Sequence, residues 1–319
     1  CIHCNQSEAV APKMSTDDQT YSAAGEVASV SERRTWWDRT WRSLKKAPAT
    51  AWFGMIVISF YFVLAVFAPL IAPYGESQIF DTPYAPWSSE FWFGTDQLGR
   101  DVLSRLIYGA RNTIGIAVAT TALSFLIGGS LGVMAAINRS WLDQALSRFV
   151  DVLMAIPSLI FSLMLLSIFG SNVINLIIII AVLDATRVFR LARAVSLNVV
   201  VMDYVEASRL RGESLGWVMR RDILPNILPP MVAEFGLRFC FVFLTIASLS
   251  FLGVGIQPPT ADWGSMVREN AQLISFAEYD MKAARTPLLP AGAIALLTVA
   301  VNFVVDWFLH KTSGIRDDK

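Results

Sequence analysis

The chain is short of nearly everything a soluble enzyme relies on. Only 16% of its 319 residues are charged, where roughly a quarter is ordinary for soluble domains. Acidic and basic groups balance at 26 each, so no net positive field is available to hold nucleic acid. Its two histidines, His3 and His310, stand far apart without metal-binding or catalytic spacing. Three cysteines, two of them in the first four residues, make no disulfide framework, and Cys240 lies in an apolar run as a small hydrophobe. The run Cys1-Ile2-His3-Cys4 has the spacing of half a zinc site, but no second ligand pair follows, so no metal site is expected. There is no G-x-x-x-x-G-K-[ST] phosphate loop, which argues against ATP binding of the usual kind on this chain. No nucleophile elbow is present. We therefore expect no catalytic residue and no cofactor of the chain's own.

What it has in quantity is apolar sequence, 54% of the residues. A membrane span needs about 20 mostly apolar residues, and six segments qualify: about 51–71, 112–137, 149–169, 173–193, 227–252 and 287–309. The second carries Gly128 and Gly132, a small-xxx-small spacing that lets helices approach closely. The fourth is interrupted by Asp184, Arg187 and Arg190. The fifth contains Glu234 and Arg238, four apart and so on one helical face. Ionisable groups inside spans face protein or a water-filled cavity. Glu234 with Arg238, and Asp184 with Arg187, thus admit two readings: lining of a translocation path, or ion pairs that only join helices.

Ahead of the spans, residues 1–32 have no period and the composition of a disordered cytoplasmic tail. Met14 is a candidate start, which would place residues 1–13 outside the native chain. No cleavable leader is visible. Residues 33–47 set Trp37, Trp41 and Leu44 on one face among arginines and lysines, the pattern of an amphipathic helix in the membrane interface, or of a basic linker. Lysine and arginine crowd one set of flanks and acidic residues the other. By the positive-inside rule, both termini and the loop around 203–226 are expected on the cytoplasmic side, with 72–111 and 253–286 as external segments and 310–319 as a cytoplasmic tail. In the first of these, Asp96 is a candidate cap for a short helix that also carries an Asp101–Arg105 pair at i,i+4.

The most telling stretch is Glu206–Asn226, EASRLRGESLGWVMRRDILPN, polar and cationic between two runs fit for lipid. Leu215, Val218 and Met219 can share one apolar face of a short helix, with Arg209, Arg211, Arg220 and Arg221 around it. Gly212 allows a sharp turn, and Pro225 is expected to end the second short helix. Such a helix–turn–helix on the inner face suits a grip for a soluble partner. The bland alternative is a connecting loop.

Five segments in order carry a family likeness: FGTDQLGRDVLSRLIYGAR (93–111), DVLMAIPSLI (151–160), DYVEASRLRG (203–212), DILPN (222–226) and LSFLGVGIQPPTADWGSM (249–266). With these, the chain resembles the C-type permease subunit of dipeptide and oligopeptide ABC importers, a group that includes nickel transporters. The resemblance spans about residues 50–306. It implies an all-α membrane protein of type I importer architecture: six transmembrane helices over 48–309, an N-terminal interfacial helix and a cytoplasmic coupling helix. It implies an inner-membrane subunit that works with a homologous second permease, two cytoplasmic ATPases that bind ATP and magnesium, and an external substrate-binding protein. Carried over by position, Glu206, Ala207, Ser208, Arg209, Gly212, Leu215, Leu224 and Pro225 would belong to the loop that docks on an ATPase. Asp96, Arg100, Asp101, Gln257 and Trp263 would face the external mouth or the binding protein. Short peptides are the expected cargo, with nickel or another small solute as the near alternative. An ion-driven secondary transporter is the alternative of a different class. Departures from the family pattern occur at Asp222, Ala185-Thr186, Ile246, Glu234 and Arg238.

Overall fold

Prolines and backbone caps decide where the helices stop. The computed structural model describes residues 47–138, 141–276 and 281–312. The expected tail over 1–32, the interfacial helix over 33–47 (but for its last residue) and the end of the chain from 313 lie outside the described residues. Helix α1, Ala49–Val66, starts after Pro48 and halts at Phe67. A single turn, α2, Ala68–Ile71, follows with Pro69 at its start, where a missing N–H costs nothing. After an irregular segment over 72–101 come α3, Val102–Asn138, α4, Trp141–Ala155, α5, Ser158–Phe169, and α6, Val173–Val200. The loop region holds α7, Asp203–Leu210, α8, Leu215–Val218, and a π-turn, Met219–Ile223. Then α9, Leu224–Phe251, runs on. Helix α10, Trp263–Asn270, and a 3₁₀ turn, Ala271–Phe276, precede α11, Met281–Thr312. Among the described residues there is no strand, only an isolated bridge between Thr95 and Asp101.

Helices occupy all six expected segments. Four are long and apolar enough to cross a membrane: Ala49–Val66, Val102–Asn138, the rod Leu215–Phe251, and Arg285–Lys311. The third expected span is not one straight helix. It breaks between α4 and α5 with a bend of 91°, because Pro157 disfavours helical backbone at Ile156 before it. At 12 residues, α5 is about 18 Å long and cannot cross a core of about 30 Å by itself. Helix α6 is 28 residues long but carries charge in its middle.

The most extensive packing is between α3 and α6, and α11 lies along α1. The glycine spacing explains the first. A Cβ on Gly132 would sit 2.7 Å from the Phe189 carbonyl oxygen and 2.8 Å from the Ala192 Cβ, and one on Gly128 would strike the Ala185 carbonyl. Only hydrogen at both positions lets the two backbones meet. Leu176, Phe243, Ile246, Leu249, Trp263 and Leu297 form the larger core cluster. A second cluster, including Val133, Val188, Val205, Val218, Ile223 and Ile227, ties the 203–226 loop to the ends of α3 and α6.

Candidate functional site: a charged cap, a mid-helix cluster and an exposed loop

Polar residues gather at three levels. At one end of the bundle, residues 74–113 and 254–270 fold together into a cap. Arg100 Nε lies 2.7 Å from Asp96 Oδ2 and its Nη2 2.8 Å from Glu269 Oε2. Arg105 reaches the same Glu269 oxygen at 3.1 Å and Asp96 at 3.6 Å. All four side chains are at least nine-tenths buried. Asp101 is the cap of α3, its carboxylate accepting from the Ser104 backbone N–H at 2.8 Å and the Ser104 hydroxyl at 2.6 Å. Two expectations are thereby corrected. Asp101, not Asp96, caps the helix, and Arg105 pairs with Asp96 and Glu269 rather than Asp101. The reason is that the tight loop over 94–101 turns the Asp96 carboxylate back onto its own Leu98 and Arg100 N–H groups.

The cap is stitched to α3 by further polar contacts. Asn112 donates to the Ala261 carbonyl at 2.9 Å and to Glu76 at 2.8 Å, and the Ala261 N–H also donates to Glu76. Thr113 donates to Asp262 at 2.9 Å. Burial raises the Asp262 carboxyl above the ordinary carboxylate range, opposed by its hydrogen bonds from Ser265 and Thr113. Trp263 is fully buried, its indole N–H donating to the Leu106 carbonyl at 2.9 Å and its ring packed edge-on against Tyr61 and Phe243. Asp96, Arg100, Asp101 and Trp263 therefore do not present themselves to an outside partner. They hold the cap closed. Gln257 is half-buried and donates to the Gly253 and Gly255 carbonyls. The large apolar side chains this segment does expose are Ile79, Tyr84, Trp92 and Leu98.

At the middle level, two pairs that the sequence placed separately become one cluster. Arg238 Nε lies 2.7 Å from Glu234 Oε1 on the same helix, while its Nη1 stands 3.8 Å from Asp184 Oδ1 on α6. Ser124 of α3 donates to Asp184 at 3.1 Å. The Arg238 guanidinium also lies 4.7 Å from the centre of the Phe241 ring. Arg187 stays exposed on α6. Toward the other end, Arg193 makes a two-pronged pair with Asp143 of α4, at 2.5 and 2.7 Å.

At the loop, α7 ends in a hydrogen-bonding pattern that requires a left-handed residue. The Gly212 N–H donates to the Arg209 carbonyl at 2.9 Å and the Glu213 N–H to the Ser208 carbonyl at 3.2 Å, with Gly212 at φ +79°. This is a Schellman turn, in which glycine is preferred because it carries no Cβ penalty. Ser214 then caps α8 through the Trp217 N–H. Val205, Ser208, Val218 and Ile223 face inward, whereas Glu206, Ala207, Arg209, Gly212, Leu224 and Pro225 are exposed. Leu215 is 52% exposed and does not join the face of Val218 and Met219. The four-residue helix is too short to bring position 215 over the core. Nor does Pro225 end a helix. The π-turn absorbs the irregularity, with the Leu224 N–H reaching the Met219 carbonyl, and Pro225 sits in the first turn of α9. Leu210, 83% exposed, joins this outward surface.

Several members of these sites were not singled out from sequence. Glu269 and Glu76 are isolated carboxylates in polar segments, with no local signal. Ser124 was findable, one turn from Gly128 on the packed face of α3. Asp262 was findable as well, since Asp-x-x-Ser before a short helix is a capping pattern.

A bundle of apolar helices, bearing a folded cap at one end and a helix–turn–helix at the other, defines a multi-span membrane protein. Residues 128–311 match the family described as the binding-protein-dependent transport system inner membrane component, and the chain belongs to that family. Residues 35–86 match the N-terminal TM domain of oligopeptide transport permease C. Similar proteins include a di/tripeptide transport system permease protein of Pseudomonas aeruginosa, 35% identical over 271 residues, 83% of this chain and 85% of that one. A dipeptide transport system permease protein of Alkalihalophilus pseudofirmus is 31% identical over 283 residues, 88% of each. A glutathione transport system permease protein of Escherichia coli is 34% identical over 291 residues, 89% of this chain and 90% of that one. Among solved structures, an inward-facing MetNI methionine ABC transporter aligns with a TM-score of 0.49 and 20% identity, over 64% of this chain and 96% of that chain.

Proposed function

We propose that this chain is the permease subunit of an importer that carries short peptides across the cytoplasmic membrane, driven by ATP hydrolysis on separate subunits. Relatives named for di- and tripeptides, dipeptides and glutathione support the peptide cargo. The observation that carries the drive is the loop over 203–226. Its underside is packed against α3 and α6, while its outer surface leaves Leu210, Leu215 and several arginines in solvent. A loop that only joined two helices would have no use for exposed leucines on a rigid turn. Gripped by an ATPase, the same rigid turn would pass a push directly into three helices, and alternating access would follow from their tilt. A homologous second permease and an external binding protein complete the proposed assembly. Both termini lie on the cytoplasmic side in this reading, as the lysine and arginine flanks favour.

The test is uptake by the reconstituted transporter carrying Gly212→Trp. No atom lies within 4 Å of where a Cβ at Gly212 would stand, so the bulk of a tryptophan there meets no neighbour in this chain; Gly212→Ala, which carries the same left-handed backbone strain without the bulk, is the control. Uptake should fall at least about tenfold, the effect of losing some 1.4 kcal/mol of coupling, with normal membrane insertion. Cross-links from Leu215→Cys should reach a nucleotide-hydrolysing subunit. If they reach none, the coupling role is wrong.

A further inference from the structure

Where α1 and α11 meet the cap there is a cavity of about 750 Å³. It is roughly five times the size of an apolar cavity that takes up one benzene ring, which leaves room for a hydrocarbon chain. Tyr61 and Leu64 of α1 and Leu289, Ala293 and Leu296 of α11 supply much of its wall, and Trp263 adds an aromatic side from the cap. Helix α1 has 18 residues, about 27 Å, against a hydrocarbon core of about 30 Å. Its last two turns, which carry Tyr61 and Leu64, therefore lie near the edge of that core. Phe60, Gly292 and Leu296 border the cavity and are exposed. The cavity thus opens sideways, between two spans, toward the bilayer.

The rim is polar and has charge of both signs nearby. Ser89, Glu90 and Trp92 are exposed where they border the cavity, and tryptophan is the residue type favoured at membrane–water boundaries. The Tyr74 hydroxyl reaches the Glu90 backbone carbonyl at 3.5 Å, while the Glu90 carboxylate makes no ion pair among the described residues. Asp101, the other carboxylate of the lining, is committed to Ser104. Arg285 is exposed and stands one turn before Leu289 on α11, so the two share a helical face. It too has no ion pair among the described residues. A carboxylate and a guanidinium beside one apolar mouth match a zwitterion on a hydrocarbon chain. A primary ammonium donates charge-assisted hydrogen bonds to a carboxylate, which a quaternary one cannot, and arginine forks onto phosphate. On the wall, Tyr61 is 7% exposed and its hydroxyl makes no hydrogen bond among the described residues, although a buried tyrosine hydroxyl usually finds a partner.

We infer that this cavity seats a bilayer phospholipid with an ethanolamine head group. One acyl chain enters between α1 and α11, and an ester carbonyl accepts from Tyr61. The phosphate meets Arg285 and the ammonium meets Glu90. The site is independent of the cargo and of the loop over 203–226.

The experiment places the full chain in vesicles of equal parts dioleoyl phosphatidylethanolamine, phosphatidylcholine and phosphatidylglycerol. The protein is then extracted in mild detergent and its retained lipid quantified by mass spectrometry. Wild type should retain the ethanolamine lipid at least about threefold over either of the others, the discrimination that an exposed charge pair gives. At Gly292 no atom lies within 4 Å of where a Cβ would stand, so Gly292→Phe has room to fill the cavity and should abolish the preference. Glu90→Lys should turn the preference to the anionic phosphatidylglycerol, and Arg285→Gln should weaken it. Equal retention of the three lipids by wild type overturns the proposal, as does an undiminished preference in Gly292→Phe or Glu90→Lys. Should Gly292→Phe fail to fold, Glu90→Lys decides, because that side chain is exposed and its exchange disturbs no packing. The competing occupant is a helix of another protein. With Cys1, Cys4 and Cys240 replaced by serine, Gly292→Cys in native membranes should give no cross-link with a bifunctional maleimide. A cross-link to a second polypeptide overturns the proposal.

Discussion

The two ends of the molecule use charge in opposite ways. In the cap, Asp96, Arg100, Arg105 and Glu269 are buried and paired with one another. In the loop over 203–226, Arg209, Arg211, Arg220 and Arg221 stand in solvent around exposed Leu210 and Leu215. Both segments are polar stretches between apolar helices, and composition alone does not tell them apart. What separates them is whether the charges are buried against one another. Those of the cap are, and it is architecture. Those of the loop, arginines and the acidic Glu206 alike, stand in solvent.

The sharpest way to break this contrast is Glu269→Ala. It strips a shared partner from two buried arginines, and removing one side of a buried pair costs about 3–5 kcal/mol. A large drop in thermal unfolding temperature of the purified protein is expected. An unchanged value would mean that the cap charges are solvated and no different from those of the loop. Next in size, Gly132→Leu forces a side chain into the α3–α6 contact, where overpacking costs about 1–3 kcal/mol. Lower unfolding temperature and weaker protection of the α3–α6 contact against proteolysis should follow. Asp101→Ala removes the α3 cap, worth about 1 kcal/mol. Faster amide exchange at Val102–Arg105 would report it, with little change elsewhere. The smallest effect on stability is expected at the other end. Glu206→Arg alters an exposed side chain and should leave the unfolding temperature within experimental scatter, since exposed surface changes usually stay within about 0.5 kcal/mol. Uptake, in contrast, should be abolished. A variant that melts early would move Glu206 into the same class as the cap.

Legibility differed between fold and site. The apolar segments marked all six helical regions, and Gly128 and Gly132 announced a close helix contact on α3 though not its partner α6, because both signals are local and periodic. The bend at Ile156 and Pro157 could have been read from the proline. The joining of Asp184 to Arg238 could not, since the two lie on different helices and each already had a partner at helical spacing. Trp263 shows the same limit from the other side. It sits among polar and proline residues that read as an outer surface, yet the cap folds it into the core against Tyr61 and Phe243.

The sequence by itself determined that this is a helical protein of the membrane, where the helices run, and that the segment over 203–226 is a turn held by Gly212. Those properties follow from hydropathy over tens of residues and from backbone preferences at single positions, which need no knowledge of distant contacts. Only the tertiary structure decided which charges are partners and which are left open. An ionic group is stabilised or stranded by what lies within a few ångströms of it, and the residues that meet there, Glu269 with Arg100 or Asp184 with Arg238, lie many residues apart along the chain.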